Sequence, residues 1–116
     1  MSHLSILPTV LRDVDCLAAS LEELGLQPQR GGSLQGFADD VVAVDVQVTL
    51  SCGLAIGWQR QGGGQLALVA DLQRLSRSLP LQHLLGCLTR AYAVHAALRQ
   101  LASDPALAAA QVVLAA

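Results

Sequence analysis

The stretch Gly53-Leu54-Ala55-Ile56-Gly57-Trp58-Gln59-Arg60, then Gln61-Gly62-Gly63-Gly64, then Gln65-Leu66-Ala67-Leu68-Val69-Ala70-Asp71, decides the fold. Two alternating runs flank a glycine triplet, the pattern of a β-hairpin with a flexible turn. In the first run Leu54, Ile56 and Trp58 share a face, and in the second Leu66, Leu68 and Ala70 share one. Core packing is the default for Trp58; exposure would instead make it an interface anchor.

Upstream, Val42, Val44, Val46, Val48 and Leu50 alternate with Ala43, Asp45, Gln47 and Thr49, which predicts a single strand feeding the hairpin through Ser51–Gly53. Residues 27–36 are rich in Gly, Gln and Pro and read as a ragged strand or a loop. Asp13 is a good N-cap, Val14, Leu17, Ala18, Leu21 and Leu24 recur at helical spacing, and Gly25 is a natural stop, so a helix is expected over 14–24. Leu4, Ile6 and Val10 suggest a first strand, placed at an edge because Pro8 has no N–H to donate.

Downstream, Ser76–Pro80 punctuates the chain. Leu81, Leu84, Leu85, Leu88, Ala91, Tyr92, His95 and Leu98 then mark one long amphipathic helix to about residue 102. Asp104-Pro105 ends it, Ala106–Ala110 is ambiguous, and Gln111–Leu114 has the character of a last short strand. The expected fold is an α+β two-layer sandwich, an antiparallel sheet of four to five strands with two helices on one face. The length suits a single domain over 1–116 with one core.

Composition narrows the function. The chain is 53% hydrophobic and 3% aromatic, so its core is built from Leu, Val and Ala. All seven basic residues are arginines, spread along the sequence with no interleaved aromatics, which speaks against nucleic acid. Three widely spaced cysteines with no Cys-x-x-Cys suit a reducing compartment, no signal peptide is visible, and Asp45 and Gln47 interrupt the best apolar run, so a cytoplasmic protein with no membrane span is expected.

The sheet face opposite the helices would carry Ala43, Asp45, Gln47, Ala55, Gly57, Gln59, Ala67 and Val69. It is flat and nearly uncharged, either an ordinary solvated face or a docking face for a protein partner or a second copy. Asp71, Tyr92 and His95 form the candidate polar cluster. Tyr92 and His95 lie three apart on one helix, and Asp71 closes the strand before it. If they meet, they offer acid–base work or ligand anchoring; the plain alternative is buried polar groups that satisfy one another, with Asp71 fixing a turn. His83, Cys87 and Arg90 have the spacing of a metal-ligand pair or an activated thiol, but no third or fourth ligand is evident, so no metal site and no cofactor are assigned. The glycine triplet lacks the Gly-Lys-Ser/Thr of a phosphate loop. Arg74 and Arg77 read as solvated, and His3 as a lone terminal histidine.

Five pieces in order, Met1-Ser2-His3-Leu4-Ser5, Leu21-Glu22-Glu23-Leu24-Gly25, Gly53-Leu54-Ala55-Ile56-Gly57-Trp58, Leu68-Val69-Ala70-Asp71 and Arg90-Ala91-Tyr92-Ala93-Val94-His95, resemble the family known as hypothetical chloroplast reading frame thirty-five. That family is a domain of unknown function of cyanobacteria and algal plastids, with relatives in other bacteria. The resemblance runs to about Leu101; members are richer in lysine and aromatics and often have a longer end. It implies a cyanobacterial setting and no established activity, cofactor or catalytic residue. Its bacterial relatives near AAA-type ATPase genes imply an accessory or assembly role by association. With no complete catalytic motif, the expected function is a non-catalytic protein-interaction or assembly factor that binds a partner or dimerises. The alternative is a small enzyme or ligand-binding protein with a pocket near Asp71, Tyr92 and His95.

Overall fold

The computed structural model describes residues 4–36 and 40–103. His3 and the segment Gln111–Leu114 lie outside them. The order is β1 (Leu4–Pro8), α1 (Val14–Glu23), β2 (Gln29–Arg30), β3 (Ser33–Gln35), β4 (Val41–Ala43), β5 (Val46–Thr49), β6 (Ala55–Arg60), β7 (Leu66–Asp71), α2 (Leu72–Ser76) and α3 (Leu79–Ser103). Five strands form an antiparallel sheet in the order β1-β7-β6-β5-β2.

The opening stretch behaves as its alternation dictates. β6 and β7 pair with Trp58 opposite Leu68 and Gly57 opposite Val69. The turn closes with the Gln61 amide donating to the Gln65 carbonyl and Gly64 at φ +90°. Trp58, 1% exposed, packs with Ile56, Leu66, Leu68 and Val48 under Leu17 and Leu21 of α1 and Leu88 of α3. Each such side chain taken from water contributes about 1.5–3 kcal/mol before entropy is counted. β1 is an edge strand, its Pro8 opposite Ala67, where a missing N–H costs no ladder bond. Val10 falls outside β1 and is exposed, a departure from the expected strand face.

The expected single strand over 42–50 is two strands in two sheets. The chain bends at Val44–Asp45: the Val44 amide donates to the Gly32 carbonyl, and the Asp45 amide to the Trp58 carbonyl. The Asp45 carboxylate also accepts the Arg60 amide at 2.6 Å, which holds the bend. Through it, Val46 and Val48 stay on the helix side while Val42 and Val44 join Leu34 on the other face. β3 and β4 pair there as a small separate hairpin. The ragged region 27–36 thus supplies one strand to each sheet.

That hairpin changes the outer face. A side chain at Gly57 would begin 2.8 Å from Val44 Cγ1 and 3.0 Å from Leu34 Cδ1, so only glycine lets the hairpin lie this close. The face read as open is therefore open only in part: Gly57, Ala67 and Val69 are buried, Gln47, Ala55 and Gln59 are partly covered, and Ala43 and Asp45 are exposed.

α1 starts on Asp13, whose carboxylate accepts from the Asp15 and Cys16 amides. α3 begins after Ser78, whose hydroxyl accepts the Leu81 amide, with Pro80 in the first turn where its missing N–H is harmless. Its 25 residues run about 37 Å against about 20 Å for the six-residue strands β6 and β7, so it overhangs the sheet. No helix among the described residues is long and apolar enough to cross a membrane.

Candidate functional site

The structure does not bring Asp71, Tyr92 and His95 together. Asp71, 4% exposed, caps α2: its Oδ1 accepts from the Gln73 amide at 3.0 Å and the Arg74 amide at 3.4 Å. The phenol of Tyr92 accepts the Arg12 amide at 3.0 Å and the Asp13 amide at 2.8 Å, tying α3 to the approach to α1. The Leu66 end of β7 is the end near this tie, because the Leu66 amide donates to the Leu11 carbonyl. Asp71 lies at the other end of the strand, about 16 Å away along its rise. His95 pairs at 2.9 Å with Glu23, an exposed carboxylate of α1. The intervening helix α2, absent from the sequence reading, is what carries the chain away from Asp71 before α3 begins.

The charged residues converge elsewhere. Four arginines distant in sequence, Arg12, Arg30, Arg60 and Arg99, line one open cleft of about 710 Å³ with Asp13, Asp15 and Asp45. Each wall has a local reason. Arg12 precedes the N-cap and donates to the Gly63 carbonyl of the β6–β7 turn at 2.7 Å. Arg30 ends β2 and reaches Asp15 at 2.8 Å. Arg60 ends β6 beside Asp45 because Val46 pairs with Trp58. Arg99 comes from the overhanging part of α3 to Asp13, and lies 3.8 Å from Asp15.

Burial alone would raise the Asp13 carboxyl, but the Cys16 amide, the Arg99 charge and the Asp15 amide outweigh it and hold the group below the ordinary carboxylate value. Arg99 is raised by its hydrogen bond to Cys16 Sγ and by Asp13. Asp15, Arg30 and Arg99 side chains are more than half exposed, so solvent screens these pairs and each adds little to stability. Among the described residues the Arg60 guanidinium has no hydrogen bond or ion pair, its backbone amide alone being engaged.

A second depression adjoins the first. It lies between α1 and α3, measures about 390 Å³, and is lined by Cys16, Ala19, Leu98 and Ala102 with His95 at its side. Asp15 and Arg99 line both, so groove and cleft are continuous.

His83, Cys87 and Arg90 do meet on α3. Cys87 Sγ lies 3.5 Å from His83 Nε2 and accepts from Arg90 at 3.3 Å. Among the described residues no group of three His, Cys, Asp or Glu side chains is arranged to hold a metal. Arg74 and Arg77 are exposed.

The arginine cleft was missed because scattered positions were read as scattered charges. The signal was present in the pairing: an antiparallel β5–β6 register that opposes Val46 and Trp58 sets Asp45 beside Arg60, and Arg12-Asp13 marks a helix start with a cation outside it.

These features define a small α+β domain, an antiparallel sheet with helices on one face and a charged cleft at the start of α1. The chain belongs to the family described as "Protein of unknown function (DUF1257)", whose model matches residues 20–112. It is also similar to the "Uncharacterized protein ycf35" of Guillardia theta, 30% identical over 100 residues, which is 85% of this chain and 77% of that protein. The family is the one that the sequence motifs resemble. No solved structure matches the chain.

Proposed function

We propose that the protein is a non-catalytic protein-interaction or assembly factor whose partner docks on the outer face of α3. The observation that carries this reading is the composition of that face. Leu84, Leu85, Leu88 and Tyr92 pack toward the core. Ala93, Val94 and Ala97 on the other side are exposed, Val94 at 47%. Ala93, Val94 and Ala97 lie one to four residues apart on the helix and form one small exposed apolar patch rimmed by Thr89, Arg90 and Gln100, the kind of patch that marks a contact surface. Asp71, Tyr92 and His95 support the same reading, since Asp71 caps α2, Tyr92 ties α3 to the approach to α1, and His95 pairs with Glu23. The sheet face supplies less of the contact, because the chain's own β3–β4 hairpin covers part of it. Three free thiols, at Cys16, Cys52 and Cys87, favour a reducing compartment such as the cytoplasm.

The test is affinity capture from the source cells with the wild-type chain and the Val94→Glu/Ala97→Glu variant side by side, with circular dichroism confirming that both are folded. The reading expects specific proteins captured by the wild type and lost by the variant. Self-association abolished by the same pair, read by sedimentation velocity, also supports it. Identical capture and sedimentation for the two proteins would refute it.

A further inference from the structure

We infer that the α1–α3 groove and the arginine cleft it opens into bind a segment of a partner protein in which apolar residues are followed by acidic ones. The inference rests on the interaction reading above and adds the partner's chemistry. One end of the depression is apolar, floored by Cys16, Ala19, Leu98 and Ala102. The other end is cationic. Four guanidinium groups face three carboxylates there, and those carboxylates are engaged: Asp13 by two α1 amides and Arg99, Asp15 by Arg30 and Arg99, Asp45 by the Arg60 amide.

What is left over is Arg12, whose guanidinium donates to the neutral Gly63 carbonyl, and Arg60, whose guanidinium has no partner among the described residues. An incoming carboxylate meets those two arginines without displacing an existing ion pair. Arg30 and Arg99 already hold a carboxylate, that of Asp15, between them, which shows the kind of anion this wall accepts.

Nucleic acid fits the same depression poorly. Neither Trp58, which is buried, nor Tyr92, which holds the α1 approach, presents a ring on which bases could stack there. Because Asp15 and Arg99 line both cavities, a ligand filling both carries apolar side chains beside acidic ones on one short segment.

The test is fluorescence anisotropy with the full chain and a labelled ten-residue peptide, alternating leucine and alanine for six residues and ending in four glutamates. Saturable binding is expected that weakens with added salt. It should weaken about tenfold or more when the glutamates become glutamines, when the leucines become serines, and in the Arg60→Glu and Ala19→Glu variants. Circular dichroism of each variant separates lost binding from lost folding. Absent saturable binding, equal affinity for the glutamate and glutamine peptides, or an unchanged Arg60→Glu affinity would overturn the inference. So would displacement of the peptide by pyrophosphate at lower concentration than by the unlabelled peptide, which would assign the cleft to phosphate. If Arg60→Glu and Ala19→Glu capture the wild-type set of cellular proteins while Val94→Glu/Ala97→Glu does not, the groove assignment falls and the α3 reading stands.

Discussion

Replacing Tyr92 by Phe removes one oxygen and nothing else, and the oxygen removed is the acceptor for two backbone amides some eighty residues away. The Arg12 bond is solvent-exposed, and water takes it over. The Asp13 bond is partly buried, and its N–H loses a partner in a place where water arrives less freely. A net hydrogen bond is worth about 1 kcal/mol and a stranded partly buried donor about 1–3 kcal/mol, so the loss expected for Tyr92→Phe is about 1–2 kcal/mol. For a domain of this size that corresponds to a fall of about 4–8 °C in Tm, or about 0.5–1 M in the urea midpoint. The single tryptophan, Trp58, is 1% exposed in the core, so its emission reports unfolding directly. Tyr92→Phe should unfold at lower urea with an unchanged slope. A midpoint within experimental error of the wild type would refute the claim that the phenol is a tie between α3 and the start of α1.

Three further outcomes follow from the geometry. Asp13→Asn keeps the cap but removes the charge that faces Arg99 and the α1 dipole. It should cost about 0.5 kcal/mol at pH 7. Because the folded carboxyl lies below its unfolded value of about 3.9, its contribution is complete above that value and is lost as pH falls through the lower folded one. The gap between the urea midpoints of the two proteins should therefore begin to narrow below about pH 4 and close as pH falls further, and a gap of constant size down to strongly acidic pH contradicts the assignment. Gly57→Val drives a side chain into Val44 and Leu34 and should cost about 1–3 kcal/mol in urea unfolding, whereas an unaffected protein would mean the β3–β4 hairpin does not rest on β6. His95→Gln breaks only an exposed pair with Glu23 and should change stability by less than about 0.5 kcal/mol by the same measurement.

Local chemistry made part of the molecule readable and left part of it hidden. α1 was legible because Asp13 and Gly25 punctuate a clear 3.6-residue period, and β1 was legible as an edge because Pro8 cannot donate. The bend at Val44–Asp45 was not, because alternation records which side chains share a local face and says nothing about where the strand turns into another sheet. Its cause is tertiary, the Asp45 carboxylate on the Arg60 amide and the Val44 amide on Gly32. Helical spacing told which way Tyr92 and His95 face, but not which partners they meet. Tyr92 meets the Arg12 and Asp13 amides just before α1, His95 meets Glu23 at its far end, and Asp71 is spent on capping α2. The arginine cleft depends on four loops and element ends meeting, which a one-dimensional reading of charge runs does not register.

The most direct test of the central claim, that the outer face of α3 is where a partner docks, is hydroxyl-radical footprinting of the captured complex against the free chain. Val94, exposed in the free protein, should be oxidised there and protected in the complex. Equal oxidation of Val94 in the two states, with protection confined to the exposed part of the sheet face around Ala43 and Asp45, would contradict it.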